Sequence, residues 1–297
     1  MKTLLSLTLL CVSGLASVAQ TFTETINREF VFEKKSTDNT LFIANTNGDV
    51  NVVGYAGDKI IVEVKKTIHA KTDARLETGK QDLKLQSIDR ADTIILYIED
   101  GCASFGETRK NKRHNGWSRD GWGYNWDCNN GNCDLEYDYT MDFTVKVPSS
   151  INLRISTIND GDLSVEKVSG VVKADNINGS IKLANLSREA VASTINGDVD
   201  IEYVNNPSKD CRFYSLNGDI NALFVKGLAA NLAFESFNGN FYTNIDKIEP
   251  LPVKVEKSDG KEGVKFKVNG NRYQVGNGGA LLDFETFNGN VYLKEKQ

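Results

Sequence analysis

The stretch Ile195-Asn196-Gly197-Asp198-Val199 decides the fold, because its order of residue types recurs along the chain: apolar, Asn, Gly, small polar, apolar. The regular copies span residues 177–181, 195–199, 216–220, 237–241 and 287–291. A weaker copy spans residues 46–50, and residues 158–163 hold a copy with one residue inserted. From Asn159 to Asn238 the asparagines are spaced by 19, 18, 21 and 21 residues, which indicates a repeat of about 20 residues.

An Asn-Gly pair between alternating apolar residues is also the strongest short signal for a β-hairpin. In a two-residue hairpin, the apolar residues on either side of Asn-Gly would point to opposite faces. Here they share one parity through the unit, as do Val191, Ile195, Val199 and Ile201. This favours a bend without chain reversal. A three-residue hairpin would keep the parity as well, but it prefers glycine in its last position, so it remains the alternative.

On the favoured interpretation the fold is all-β, and each unit is one coil of a parallel single-stranded β-helix, or solenoid. Structural turns are predicted where glycine adopts backbone angles that other residues resist and leaves the corner uncrowded. These turns are Gly48, Gly179, Gly197, Gly218, Gly239 and Gly289. One inner wall should be lined by Ile177, Ile195, Leu216, Phe237 and Phe287.

The N-terminus has the charged, apolar and small-residue regions of a secretory signal over residues 1–19. No stretch reaches the run of about 20 apolar residues that a transmembrane helix needs. The remaining chain divides into an N-terminal β region of the solenoid at 20–100, a Cys/Trp-rich insertion loop at 101–137 and the repeat solenoid at 138–297. A net charge of −5 argues against nucleic acid as a partner.

Outside the repeats, the residue patterns predict further elements. Strands are expected over residues 29–33, 41–44, 59–64, 93–98 and 141–147. A short helix is expected over residues 73–81. Residues 253–275, around Ser258-Asp259-Gly260, should form a hairpin that projects from the stack.

The signal segment, the early Thr-Asn-Gly-Asp-Val strand, the serial Asn-Gly units and the ending Asn277-Gly278-Gly279 together resemble an exported β-strand-repeat family of unknown function. That family is related to the adhesin-like head domain of autotransporters, and the resemblance covers most of residues 21–297. It implies a single-stranded β-helix and an adhesin-like role with no assigned ligand and no catalytic residues. The Cys-containing insertion is less typical of the family.

The insertion holds the candidate binding site. All three tryptophans, Trp117, Trp122 and Trp126, lie there with Tyr124, shortly after the basic residues Arg109, Lys112 and Arg113. Flat aromatic side chains with a polar group suit stacking on sugar rings or anchoring a partner, and loops commonly carry function. The alternative is that these rings fold back and cover the solenoid.

Four cysteines follow the signal, namely Cys102, Cys128, Cys133 and Cys211. An even number in an exported chain predicts one or two disulfides, with three possible pairings. The polar position of the repeat varies among Asp, Asn and Ser, which share turn hydrogen bonding and do not form a regular metal ladder. With only His69 and His114 present, no metal or other cofactor is predicted.

These observations predict a non-catalytic, exported adhesin-like or envelope structural protein. Its location would be periplasmic or extracellular, in association with the cell envelope. The expected partner is a glycan or an envelope protein, and the sequence leaves the oligomeric state open. Abundant acidic residues keep a polysaccharide-acting β-helix enzyme as the alternative, although no carboxylate pair stands out.

Overall fold

The computed structural model describes residues 20–107, 118–119, 121–125, 135–260, 263–269 and 271–297. The secretory signal predicted over residues 1–19 lies outside this part of the chain. The described residues form 26 strands and one α-helix, so the prediction of an all-β fold is confirmed. Among them, no helix is long and apolar enough to cross a membrane.

The N-terminal half contains ten strands and the helix. The strands are β1 (Gln20–Phe30), β2 (Thr40–Ala44), β3 (Val50–Tyr55), β4 (Ile60–Ala70), β5 (Lys84–Asp89), β6 (Thr93–Glu99), β7 (Ser104–Glu107), β8 (Ser118–Arg119), β9 (Trp122–Asn125) and β10 (Tyr137–Pro148). The helix is α1 (Asp73–Asp82).

The C-terminal half contains sixteen strands, β11 to β26. They are β11 (Asn152–Ser156), β12 (Leu163–Glu166), β13 (Val172–Asp175), β14 (Ile181–Leu186), β15 (Ala190–Asn196), β16 (Val199–Tyr203), β17 (Cys211–Asn217), β18 (Ile220–Phe224), β19 (Ala230–Asn238), β20 (Phe241–Thr243), β21 (Ile248–Pro250), β22 (Lys254–Gly260), β23 (Gly263–Asn269), β24 (Arg272–Val275), β25 (Ala280–Asn288) and β26 (Val291–Glu295).

Two large sheets contain most of these strands. Sheet A has ten strands in the order β1-β4-β10-β3-β12-β14-β16-β18-β26-β20. Sheet B has eleven strands in the order β21-β24-β19-β25-β17-β15-β13-β11-β2-β6-β5. The predicted hairpin near residue 258 is present as the separate antiparallel pair β22–β23. A small sheet, β7-β9-β8, comes from the insertion.

Each Asn-Gly unit contributes one strand to each large sheet. The strand before Asn-Gly belongs to sheet B and the strand after it to sheet A, as for β15 and β16. Neighbouring units pair in parallel and in register in both sheets, as β15 does with β17 and β16 with β18. Antiparallel pairs lie at the ends, in β1–β4–β10, β5–β6 and β19–β24–β21. The sheets are therefore mixed, and the wholly parallel arrangement expected from the repeats is wrong in this respect.

The spatial order of the units differs from their order in the sequence. The last unit, β25–β26, lies between β17–β18 and β19–β20, so it pairs with β17 on one side and with β19 on the other. If the coils stacked in sequence order, the unit around residue 237 would lie next to the unit around residue 216. The structure shows that it does not. The unit at β19–β20 instead lies at the end of the run of units.

The corner glycines form a column in which backbone approaches backbone. A Cβ atom on Gly197 would collide with the carbonyl group of Gly179, and one on Gly218 would collide with the carbonyl of Gly197. Of the six predicted turn glycines, only Gly48, Gly179 and Gly197 have φ in the left-handed range, at 107°, 151° and 149°. The close approach, more than the backbone angle, therefore requires glycine at the corners.

Polar side chains, nearly all of them buried, satisfy the carbonyl groups of this glycine column. The Thr194 hydroxyl donates to the Gly179 carbonyl at 2.8 Å, and the Ser215 hydroxyl donates to the Gly197 carbonyl at 2.8 Å. The same bond recurs at the other corners, donated by Thr157, Asn176, Thr286 and Ser236. Each unit therefore ties its inner corner to the glycine of its neighbour.

Two further ladders run along the outside of the corner. In every unit except β19–β20 at the end of the run, the polar residue after the glycine accepts the backbone N–H of the corresponding residue in the next unit, as Asp198 Oδ1 does from Asp219 at 2.8 Å. The asparagine amides also bond to one another, as Asn217 Nδ2 does to Asn196 Oδ1 at 2.9 Å. Asp, Asn and Ser all carry an acceptor oxygen, which explains why all three occur at the position after glycine.

The apolar residue before Asn-Gly points outward, so the predicted inner wall is wrong. Ile195, Phe287 and Phe237 are 38%, 44% and 75% exposed, and Ile177 and Leu216 are half-buried. The inner positions are instead Thr194 before the corner and Val199 after it, both buried. Parity changes at the corner because the chain passes from one sheet to the other and the interior then lies on its opposite side.

The helix predicted over residues 73–81 is present as α1 and packs on the N-terminal strands. Its N-cap is Thr72, whose hydroxyl accepts from the Arg75 N–H at 3.4 Å. At the other end the buried Lys66 Nζ donates to the Leu83 carbonyl at 2.7 Å. Burial lowers the pKa of this lysine.

Replacing Gly197 with valine should destabilise the fold far more than replacing Asp198 with asparagine. Valine places a branched side chain against the Gly179 carbonyl at a φ of 149°, which should cost about 2 kcal/mol or more. Asp198→Asn keeps the acceptor oxygen and should change stability by about 0.5 kcal/mol or less. Urea unfolding of both variants measures the difference, and equal losses would contradict the glycine column.

Candidate functional site

The described part of the insertion packs against the outer face of sheet B. Phe105 of β7 stacks on Tyr97 at 4.7 Å and on Trp122 at 5.8 Å between ring centroids. It also meets Phe42 and Tyr124 edge-on. The aromatic residues of the insertion thus continue the packing of β2 and β6 outward.

Tyr124 is fully buried in this cluster. Its hydroxyl donates to the Ala44 carbonyl and accepts from the Ile98 N–H, both at 2.8 Å. Burial raises its pKa well above the ordinary value for tyrosine. Because both ends of the side chain are engaged with sheet B, Tyr124 has no surface for stacking on a ligand.

Trp122 is half-buried, with the Arg90 guanidinium 4.9 Å from its ring centroid. Arg90 also donates to Glu107 at 2.8 Å. A cavity of about 150 Å³ lies beside the ring, lined in part by Thr40, Thr93 and Arg90. Arg90 and Glu107 are thus paired with each other, which leaves little of their charge for a ligand.

The other predicted site residues of the insertion, Arg109, Lys112, Arg113, Trp117 and Trp126, lie outside the described residues, as do Cys128 and Cys133. Cys211 is buried, and its sulfur lies 3.4 Å from the Tyr203 hydroxyl. It forms no disulfide with any residue of the described part. Burial raises the pKa of its thiol, which makes it unreactive.

Removing only the Tyr124 hydroxyl should weaken the attachment of the insertion. Tyr124→Phe leaves the Ala44 carbonyl and the Ile98 N–H without their shared partner, at a cost of about 1–3 kcal/mol. Thermal unfolding measures this cost. The matched control is Tyr214→Phe on the same sheet, where the side chain is half-buried, and an equal effect in both variants would contradict the anchoring role.

A second surface, which sequence reasoning missed, lies on the outer face of sheet A. An open groove of about 250 Å³ crosses β14, β16, β18 and β26. Its floor includes Ala184 and Leu223. At its end Tyr292 stacks on Tyr242 of β20 with a centroid distance of 5.1 Å and an angle of 14° between the rings.

Charged and polar groups line the groove beside this tyrosine pair. Asn221 Nδ2 donates to Asp200 Oδ1 at 2.8 Å, and Lys182 lies on the next strand. Lys294 Nζ lies 5.6 Å from the centroid of Tyr292. The lining includes two lysines, Lys182 and Lys294, and two carboxylates, Asp200 and Glu202, so the groove offers donors and acceptors without a strong field of either sign.

The repeat itself carries a signal for this surface. Tyr242 and Tyr292 each follow their Asn-Gly asparagine by four residues, as do Lys182, Asp200 and Asn221 in the other units. An alignment of the units would therefore have placed these five side chains in one column. The contact between the two tyrosines could not be read from the sequence order, because it exists only through the insertion of β26 beside β20.

Two solved structures are similar to this chain over most of its length. A crystal structure of a putative cell adhesion protein from Clostridium sporogenes ATCC 15579 aligns over 92% of this chain and 100% of its own, with 14% identity and a TM-score of 0.41. That of a putative adhesin from Bacteroides fragilis NCTC 9343 aligns over 92% and 97%, with 10% identity and a TM-score of 0.35. No family model and no curated protein sequence matches the chain.

Proposed function

We propose that this chain is an exported, non-catalytic, adhesin-like protein of the cell envelope, and that the outer groove of sheet A binds neutral glycans. In this proposal the units form a β-solenoid whose rigid outer face is the binding surface. Support for the solenoid comes from the parallel, in-register pairing of successive units in both sheets. The tyrosine pair at the end of the groove is the observation that carries the binding role.

The chemistry of the groove suits a sugar. Stacked tyrosines offer a flat apolar surface for the C–H face of a pyranose ring, and their hydroxyl groups can bond to its edge. Asp200, Asn221 and Lys294 supply donors and acceptors beside that surface. All of them lie on paired strands, so little order is lost on binding.

The size and charge of the groove favour a neutral glycan over a protein or an acidic polymer. A volume of about 250 Å³ suits one sugar unit of a longer chain. A stable protein partner needs about 800 Å² of surface on each side. The mixed lysines and carboxylates give no excess positive charge that would select an acidic polysaccharide.

The insertion is less favoured as the binding site. Tyr124 and Trp122 are engaged with sheet B, which fits the interpretation that the loop covers the repeat structure. A role in binding for Arg109, Lys112, Arg113, Trp117 and Trp126 stays a prediction.

The double variant Tyr242→Ala/Tyr292→Ala should lose glycan binding. Removal of both rings takes away the stacking surface, so retention on a glycan array should fall at least about tenfold, which corresponds to about 1.4 kcal/mol. The change in melting temperature should be no larger than that of a half-buried tyrosine elsewhere on the sheets, because Tyr242 is 46% exposed and Tyr292 is half-buried. Array binding and thermal unfolding measure the two effects separately.

Tyr214→Ala serves as the matched control, since it removes a half-buried tyrosine from the outer face of sheet B. It should leave retention unchanged. Unchanged binding by the double variant, or an equal loss in the control, would contradict the proposed site.

A further inference from the structure

The end of the run of units presents the same groups that join the units internally. β20 is the last strand of sheet A. On β19, the pairing with β24 covers only Ala230–Ala233. Within the described residues, no strand therefore pairs with Glu235 through Thr243 on the side away from β25 and β26. The first residue of the sheet A strand is also less covered in this unit than in the others. Phe241 of β20 is half-buried, whereas Ile220 of β18 and Val291 of β26 are fully buried.

The side-chain ladders end at this edge with acceptors facing outward. Asn238 Nδ2 donates to Asn288 Oδ1 at 2.9 Å, and the Asn240 N–H donates to Asn290 Oδ1 at 3.1 Å. By the pattern of the internal units, Asn238 Oδ1 and Asn240 Oδ1 are the acceptors for one more unit. The described residues supply no donor to either oxygen.

An exposed aromatic ring lies next to these acceptors. Phe237 is 75% exposed and stacks on Phe287 with a centroid distance of 4.8 Å and an angle of 4°. Only one face of the ring is covered. An apolar side chain at the same position of an added strand would cover the other face.

We infer that the edge from Glu235 to Thr243 binds an extended segment of a partner protein by strand addition, in parallel to β19 and β20. The segment carries the order apolar, Asn, Gly, polar, apolar. Edge strands with unpaired backbone groups bind segments in this way, with backbone bonds providing affinity and side-chain positions providing specificity. The edge adjoins the glycan groove at Tyr242, and a substitution of Phe237 tests the edge without removing either ring of the tyrosine pair.

The geometry defines two specificity positions in the segment. The segment needs a glycine over Gly239. A Cβ atom at this position of the segment would meet the Gly239 carbonyl, as a Cβ atom on Gly218 would meet the Gly197 carbonyl inside the protein. The second position is the one that lies two residues before the segment's apolar residue. It faces Glu235, which already lies beside Glu285 of β25. Like charges on neighbouring strands are unfavourable, so a lysine or arginine is preferred at this position of the segment.

The test is the binding of a synthetic peptide with the sequence of residues 284–293, Phe-Glu-Thr-Phe-Asn-Gly-Asn-Val-Tyr-Leu, to the purified protein by fluorescence anisotropy. The peptide should bind, and its Gly289→Val version should bind at least about tenfold more weakly. Its Glu285→Lys version should bind up to about fivefold more tightly. In the protein, Phe237→Ala should weaken peptide binding, whereas Ile195→Ala, at an internal corner, should not.

Three results would overturn the inference. They are no binding of any peptide, equal binding of the Gly289→Val peptide, and equal binding by the Phe237→Ala protein. Sedimentation of the protein alone separates a further case: a dimer that Phe237→Ala dissociates, without peptide binding, would show that a second copy covers this edge instead.

Discussion

The approach of one corner glycine to the carbonyl of the next is the constraint on which the rest of the structure depends. At this distance no side chain fits between the units, so the backbone paths of neighbouring corners must coincide. The carbonyl groups that are shut off from water there need donors, and buried hydroxyl groups such as those of Thr194 and Ser215 supply them. Register in both sheets follows, because a shift by one residue would break the glycine contact, the buried bond and the asparagine ladder together.

The fixed register in turn creates the surfaces that can bind. Residues at one position of the repeat become a column, so the position four residues after the asparagine brings Tyr242 and Tyr292 into contact although they are far apart in the sequence. The same regularity leaves the last unit with incomplete ladders and with the exposed ring of Phe237. Both surfaces thus follow from the in-register stacking of the units. The groove runs across several units, and the open edge lies at the end of the run.

The sequence predicts the elements of this architecture better than their arrangement. The all-β class, the Asn-Gly corners, helix α1 and the hairpin near residue 258 follow from local patterns. The inward orientation assigned to Ile195 was wrong because parity was carried straight through a corner at which the chain changes sheets. The alternation predicted that Thr194 points outward, as expected for a polar residue. It is buried instead, because its hydroxyl is needed inside the corner. The insertion of β25–β26 between two earlier units depends on long-range pairing, which local patterns do not encode.

The most direct test of the glycine column is the free energy of unfolding of Thr194→Val compared with Thr194→Ser. Valine keeps the shape of threonine but removes the hydroxyl, which leaves the Gly179 carbonyl buried without a donor. We expect a loss of about 1–3 kcal/mol for Thr194→Val. Thr194→Ser keeps the hydrogen bond and should lose only about 1 kcal/mol, for one buried methyl group. A Thr194→Val protein as stable as the wild type would contradict the account, because the glycine carbonyls would then not depend on the hydroxyl groups that face them.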